Sequence, residues 1–296
     1  MQEKQSLFSA KIPLKRRLHS RVLTVFIWTC VAFTLGLITY LIGFILLRGV
    51  GHISWSMLTS VPSLLHETIG ILPNLMFTLY IIITTLIIAL PIGIGAAVYL
   101  NEYANNRHIV KIVEFTIETL AGIPSIIYGL VGFLIFVRLT GGPTILAGSL
   151  TLSVLVLPTI VRTTQEALKT VPQSYREGSI ALGATKWHTI RTIIVPSSLD
   201  GIMSGVILSI GRMVAESAAL LFTAGAGAAL IFNYFEALNT GGRPLTVALF
   251  FYATEPGQWG DTNSMDVAYA IAAVLIIIVL VLNIITKLIK RKLKKV

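Results

Sequence analysis

The chain has 296 residues, 55% of them hydrophobic and only 12% charged, with a formal net charge of +10 and a mean hydropathy of +0.84. A water-soluble domain cannot bury that much apolar surface, so most of this chain takes a lipid bilayer as its solvent. One cysteine, Cys30, excludes a disulfide framework and a thiolate cluster, and no ligand spacing links the scattered His19, His52, His66, His108 and His188, so no metal site is expected.

Residues 1–21 form a basic tail. The apolar run 22–47 is too long for the core of a signal peptide and no small-residue cleavage site follows it, so it reads as a retained transmembrane helix, with 22–69 holding that helix and an outer loop. Five further runs, near 70–99, 113–137, 145–168, 193–224 and 267–288, each supply the roughly 20 residues that a helix needs to cross hydrocarbon. They place a five-helix core at 70–289, ahead of a basic tail at 290–296. The expected fold is therefore an all-α polytopic membrane protein of six transmembrane helices. Ten-residue apolar/polar alternation is absent, which argues against a β-barrel. Pro91, Pro124, Pro158 and Pro196 interrupt spans, a pattern tolerated where neighbouring helices or a cavity satisfy the freed backbone groups. A long outer segment, 225–266, contains the amphipathic-looking stretch PLTVALFFYATEPGQW, which could cap the outer mouth or touch a partner.

An even number of spans puts both termini on one side. Only Arg48, Arg138 and Arg243 of the 23 Lys and Arg residues fall in outer segments, and Arg162 and Arg212 fall inside spans. The rest lie in tails and inner loops, which places both termini in the cytoplasm. The positive charge is thus a topology signal and not a nucleic-acid footprint.

The inner loop REGSIALGATKWHTIRTIIVP (176–196) is polar inside an otherwise greasy chain. Ser174 and Glu177 have the spacing of a capping box after Pro172, Gly183 offers a stop, and Thr185 can cap a second helix. Tyr175, Ser179 and Leu182 share one face of the first helix, with Ile180 beside them, and Trp187 and Ile190 share part of the second. Apolar residues at a cytoplasmic edge fit either a docking element for a partner or a helix lying on lipid headgroups.

Arg212 and Glu216 lie four residues apart in SIGRMVAESAAL, within the fifth span, which would place them on one helix face. Ionisable groups at membrane depth are costly and mark pathways unless they merely pair with each other. Arg162 sits near the inner end of the fourth span, where it either joins that pathway or snorkels to the headgroups. Two buried arginines with one carboxylate would leave a net positive zone, and guanidinium suits phosphate-like oxyanions. Glu114 and Glu118 read as charges at the start of the third span. Gly201 and Gly205 form a small-xxx-small face for close helix approach. The chain has no G-x-x-x-x-G-K-[ST] loop, so any ATP that drives it is bound by another subunit.

Glu177, Gly183, Ile193 and Val195-Pro196 are spaced as in the EAA loop of ABC importer permeases, with Gly178 and Ser179 standing where that family usually has alanines. Together with IALPIGIGAAVYLNEYA, AGIPSIIYGLVG, LPTIVRTTQEALKTVP and GRMVAESAALLFTAG, the chain resembles the permease of phosphate-specific ABC importers, PstA type, over most of 70–225. That resemblance implies a type I importer fold in the bacterial inner membrane, with a cytoplasmic coupling helix at 174–191. It implies that Tyr175, Glu177, Ile180, Leu182, Gly183 and Trp187 meet an ATPase, and that Arg162, Arg212 and Glu216 are tied to phosphate passage. It also implies three kinds of partner: a paralogous PstC-type permease, a PstB-type ATPase dimer carrying ATP and Mg, and an external PstS-type phosphate-binding protein. No cofactor or metal belongs to this chain on that reading. Alternatives are a permease for molybdate or sulfate, a regulatory membrane scaffold recruiting a partner through 174–191, and a secondary transporter, which would show inverted repeats that are not evident here.

Overall fold

The computed structural model describes residues 14–62, 69–255 and 264–293, and the chain divides into two units, Met1–Arg48 and Gly49–Val296. The described residues of the first unit lie in one helix, α1 (Leu14–Gly49). Its apolar side chains, among them Val22, Phe26, Trp28 and Phe33, lie exposed along its length, as expected of a helix surrounded by hydrocarbon.

Every regular element among the described residues of the second unit is a helix. A 3₁₀ turn, Val50–His52, leads to α2 (Trp55–Thr59), capped by the Ser54 hydroxyl accepting from the Met57 amide. Then α3 (Leu72–Val98) runs into a π-helical turn, Tyr99–Tyr103. The Asn106 side chain caps α4 (Arg107–Ala121); α5 (Ser125–Gly132) continues through a π-helical turn, Phe133–Val137, into α6 (Arg138–Thr140). Thr144 caps α7 (Ile145–Lys169), and α8 (Gln173–Ala181) follows. Next, α9 (Lys186–Thr189) passes through a π-helical turn, Ile190–Ile194, into α10 (Val195–Ala215). The short helices α11 (Ala218–Thr223), α12 (Tyr234–Leu238) and α13 (Leu245–Thr254) precede α14 (Ser264–Leu293).

The core forms around α7, which packs along α3 and α10. Phe77, Ile81, Leu152, Leu155 and Ile160 are buried at the first of these seams. Three hydroxyls buried in α7 return to their own helix: Ser149 donates to the Ile145 carbonyl, Thr151 to Ala147 and Ser153 to Ser149. That keeps them satisfied without water. On the other face of α7, Gly201 of α10 abuts Ala167 and Gly205 abuts Thr163, so closely that a Cβ at either position would collide. A second, smaller cluster holds Ala97, Leu100, Val161, Leu168, Ile190 and Ile194, with Val110, Val113 and Ile117 of α4 packed on it.

Five helices of the described residues are long and apolar enough to cross a membrane, or six if one bent pair counts as a single span. That pair corrects the straight third span expected at 113–137: Arg107–Ala121 and Ser125–Thr140 meet at 99° around Gly122–Pro124. Proline disfavours α backbone at the residue before it, so the helix stops there and restarts. The expected fifth span, 193–224, is likewise broken, since α10 ends at Ala215 and Glu216 is extended. In contrast, α3 and α7 run on through Pro91 and Pro158. Pro196 is accommodated by the π-helical turn just before it, where the i−4 carbonyl register is already relaxed. Glu114 and Glu118 are not at a helix start, because α4 begins at Arg107. In the outer segment, PLTVALFFYATEPGQW folds as α13 as far as Thr254, and its last residues, 256–259, lie outside the described ones.

Candidate functional site

Two constellations carry the polar chemistry: an elbow at 169–195 and the break after α10.

The elbow is built locally. Pro172 starts α8, but Ser174 lies inside the helix and caps nothing, so the expected capping box does not form. Gly183 adopts φ +86° and closes α8, its amide donating to the Ile180 carbonyl while the Ala184 amide donates to Ser179. The Thr185 hydroxyl accepts from the His188 amide and starts α9, as expected. Ser179 and Thr189 share a hydrogen bond of 2.8 Å that holds α8 against α9. Of the expected docking residues, Tyr175, Ile180, Leu182 and Trp187 are exposed large hydrophobics, while Ser179 turns inward. Glu177 is exposed and makes no ion pair among the described residues. Trp187 lies apart from the α8 face, in an apolar groove with Tyr99, Tyr103, Ile190 and Val195.

Arg176 is the elbow residue that sequence reasoning missed. Its side chain is 15% exposed and that of its partner Glu102 is 7% exposed. Nη2 donates to Glu102 Oε1 at 2.9 Å and to the Leu168 carbonyl at 3.0 Å, and Nη1 donates to the Val171 carbonyl at 2.8 Å. One guanidinium therefore joins α8 to the π-helical end of α3 and caps the C-terminus of α7, where a cation is favoured. The pair is separated by 74 residues, so no local pattern could have announced it.

The break places Arg212 and Glu216 on different segments, which corrects the shared face expected from their spacing. Arg212 lies in the last turn of α10, half-buried, and no described carboxylate pairs with it. Glu216 is buried and spends its carboxylate locally: Oε1 accepts from the Ala219 amide at 3.1 Å, capping α11, and its carbonyl accepts from the Thr246 hydroxyl. Arg212 thus keeps a guanidinium uncommitted to any acid of the described residues, while Glu216 is already satisfied.

Arg162 differs from the buried cation anticipated. Its side chain is 59% exposed and lies 3.6 Å from Glu118 and 3.3 Å from Glu166, while Lys169 lies 3.8 Å from Glu114. The Arg162–Glu118 and Lys169–Glu114 pairs lace α4 to α7, and Arg162–Glu166 lies within α7. Exposed pairs of this kind contribute about 0–1 kcal/mol each. The neighbourhood of Arg162 is therefore charge-balanced and not net positive.

In the outer segment, Arg243 is 1% exposed. Its carbonyl accepts from Asn74 Nδ2, its amide donates to Gly227, and its guanidinium lies 5.8 Å from the Phe251 ring centroid. Burial pushes its pKa down, opposed by Tyr252. Near the C-terminal end of α14, Lys290 Nζ reaches Asp200 at 3.3 Å and Ser204 at 3.2 Å, tying that helix to α10.

Among known proteins, the family described as binding-protein-dependent transport system inner membrane component matches residues 89–295. The chain is 38% identical over 213 residues to the probable ABC transporter permease protein YqgI of Bacillus subtilis (strain 168), covering 72% of each chain. It is 32% identical over 289 residues to the phosphate transport system permease protein PstA 1 of Mycobacterium tuberculosis (strain H37Rv), covering 94% of this chain and 90% of that one. The phosphate transport system permease protein PstA of Haemophilus influenzae is 31% identical over 273 residues, 92% of this chain and 94% of its own. By structure, it is similar to a chain of a bacterial alginate ABC transporter solved with an alginate pentasaccharide-bound periplasmic protein. The TM-score is 0.60 at 15% identity, covering 94% of this chain and 95% of the other. A chain of the inward-facing MetNI methionine ABC transporter matches with TM-score 0.57 at 20% identity, covering 81% of this chain and 99% of the other.

Proposed function

The chain belongs to the family of binding-protein-dependent transport system inner membrane components, and from that premise we propose that it is the PstA-type permease subunit of an ATP-driven importer of inorganic phosphate. The observation that carries this reading is the near full-length similarity to relatives named phosphate transport system permease proteins. The chain is a transporter subunit of a multi-pass membrane protein type and performs no covalent chemistry in this scheme.

ATP and Mg reside on a PstB-type ATPase dimer, since this chain has no phosphate-cradling loop of its own. A paralogous PstC-type permease supplies the other half of the path, and an external PstS-type protein delivers phosphate. The protein sits in the bacterial inner membrane with both termini cytoplasmic, as the lopsided distribution of Lys and Arg supports. Residues 174–191 are the coupling helix, and exposed Tyr175, Glu177, Ile180 and Leu182 offer it to the ATPase, with Gly183 fixing its end and Trp187 beside it.

Within the membrane, Arg212 is the residue of the path that holds the ion. Its guanidinium is planar, always charged and matched to a phosphate edge. Glu216 fixes the break that presents Arg212, and Arg162 stands at the inner exit, where its two carboxylate partners keep the ion from resting. ATP binding closes the ATPase dimer, the coupling helix moves with it, and alternating access exposes Arg212 to one side and then the other.

The test is uptake into vesicles containing this chain with its co-purifying subunits, comparing phosphate with molybdate and sulfate. ATP-dependent phosphate uptake, lost in Arg212→Gln by about two orders of magnitude as expected for removal of a charge-assisted contact to the ion, supports the proposal. Preference for molybdate or sulfate refutes the substrate. Full uptake by Arg212→Gln refutes the role of that residue.

A further inference from the structure

We infer that the Arg176–Glu102 pair is the mechanical link that carries the motion of the coupling helix to α3, so that its loss separates ATP hydrolysis from ion movement. The inference rests on the reading of the chain as an ATP-driven permease and names the positioning residues that such a reading requires.

Three observations converge on the pair. First, α8 packs on α9 and on the π-helical turn that opens α10, and has no comparable packing on α3 or α7. Second, an open cavity of about 640 Å³ lies between α8 and the inner ends of α3 and α7, lined by Asn101, Glu102, Lys169, Gln173, Arg176 and Thr189. Third, across that space one guanidinium makes five contacts shorter than 3.5 Å, to both Glu102 oxygens and to the carbonyls of Leu168 and Val171. α8 is joined to α7 through residues 170–172 and packs directly on the segment that opens α10. The direct contact of α8 itself with the end of α3 is this side-chain pair, beside the contacts that Lys186, Ile190 and Ile194 make there from the segment on which α8 packs.

The bond is also built to resist deformation. Both partners are nearly excluded from water, so solvent screens their attraction little. The fork of Arg176 spans two elements at once, and Glu102 Oε1 also accepts from Asn101 Nδ2 at 2.7 Å. Arg176 itself faces inward, away from the exposed Tyr175 and Leu182, so it acts on the permease and not on the ATPase surface.

The experiment uses the full reconstituted transporter and reads two rates together, ATP hydrolysis and phosphate uptake. Glu102→Gln keeps the shape and one acceptor oxygen but removes the charge; Arg176→Lys keeps the charge but loses the fork. Both variants are expected to assemble with the ATPase and hydrolyse ATP, with the ATP consumed per ion imported rising about tenfold. An unchanged ratio in both single variants overturns the link. Failure of both to assemble also overturns it, because the pair would then be structural only. Absence of phosphate uptake by the unmodified transporter would instead refute the function proposed above and leave a different signature.

Discussion

At the residue scale, the two glycines of α8 should respond in opposite directions. Gly178 lies inside the helix with ordinary backbone and open space around a Cβ, so Gly178→Ala should stabilise α8 by about 1 kcal/mol. Gly183 holds φ +86°, and Gly183→Ala should cost about 1–2 kcal/mol through the clash of Cβ with the following carbonyl. Hydrogen exchange of the α8 amides checks both: slower in Gly178→Ala and faster in Gly183→Ala, with the reverse order refuting the conformational argument. These roles were readable from sequence because each depends on a few neighbouring residues. Thr185 was readable for the same reason. The capping box was misread because Ser174 and Glu177 satisfy the spacing while Pro172 moves the helix start one residue ahead of Ser174. Arg176 and Glu102 were invisible, since nothing within either segment names the other.

At the element scale, the small-residue face of α10 sets how closely it approaches α7. With Gly201 against Ala167 and Gly205 against Thr163, Gly205→Val should force the helices apart and cost about 1–3 kcal/mol by overpacking. Gly95→Ala, where a Cβ meets nothing, should not destabilise. Thermal denaturation of the solubilised protein distinguishes them, and equal melting temperatures would show that this seam is loose. The seam was anticipated from the spacing of the two glycines. The breaks were not. Apolar periodicity continues across Glu216, so the fifth span read as one helix, although the chain turns extended there to let the carboxylate cap α11. The signal at Gly122–Pro124 was present in the sequence, but it registers as an interruption without an angle, and packing of α4 on the smaller cluster fixes the 99° bend.

At the scale of the whole molecule, six apolar runs, their lopsided charge and the single polar elbow were legible because a bilayer enforces length and composition on anything that crosses it. The charge-balanced setting of Arg162 was not, because it depends on how α4 folds back against α7. The helix from Lys186 to Ala215 has a further consequence, since it runs from the elbow to the turn holding Arg212 without a break. Hydrogen bonding fixes its rise at about 1.5 Å per residue, so it behaves as a ruler of constant length. Spectroscopic labels at 187 and 208, in a background where Cys30→Ser removes the chain's own thiol, should stay about 31 Å apart with or without ATP. Labels at 208 and 222 span the break and should change separation. A shortening of the first distance would mean that the turn at 190–194 is itself the pivot, and that the stroke is absorbed before it ever reaches the lipid interior.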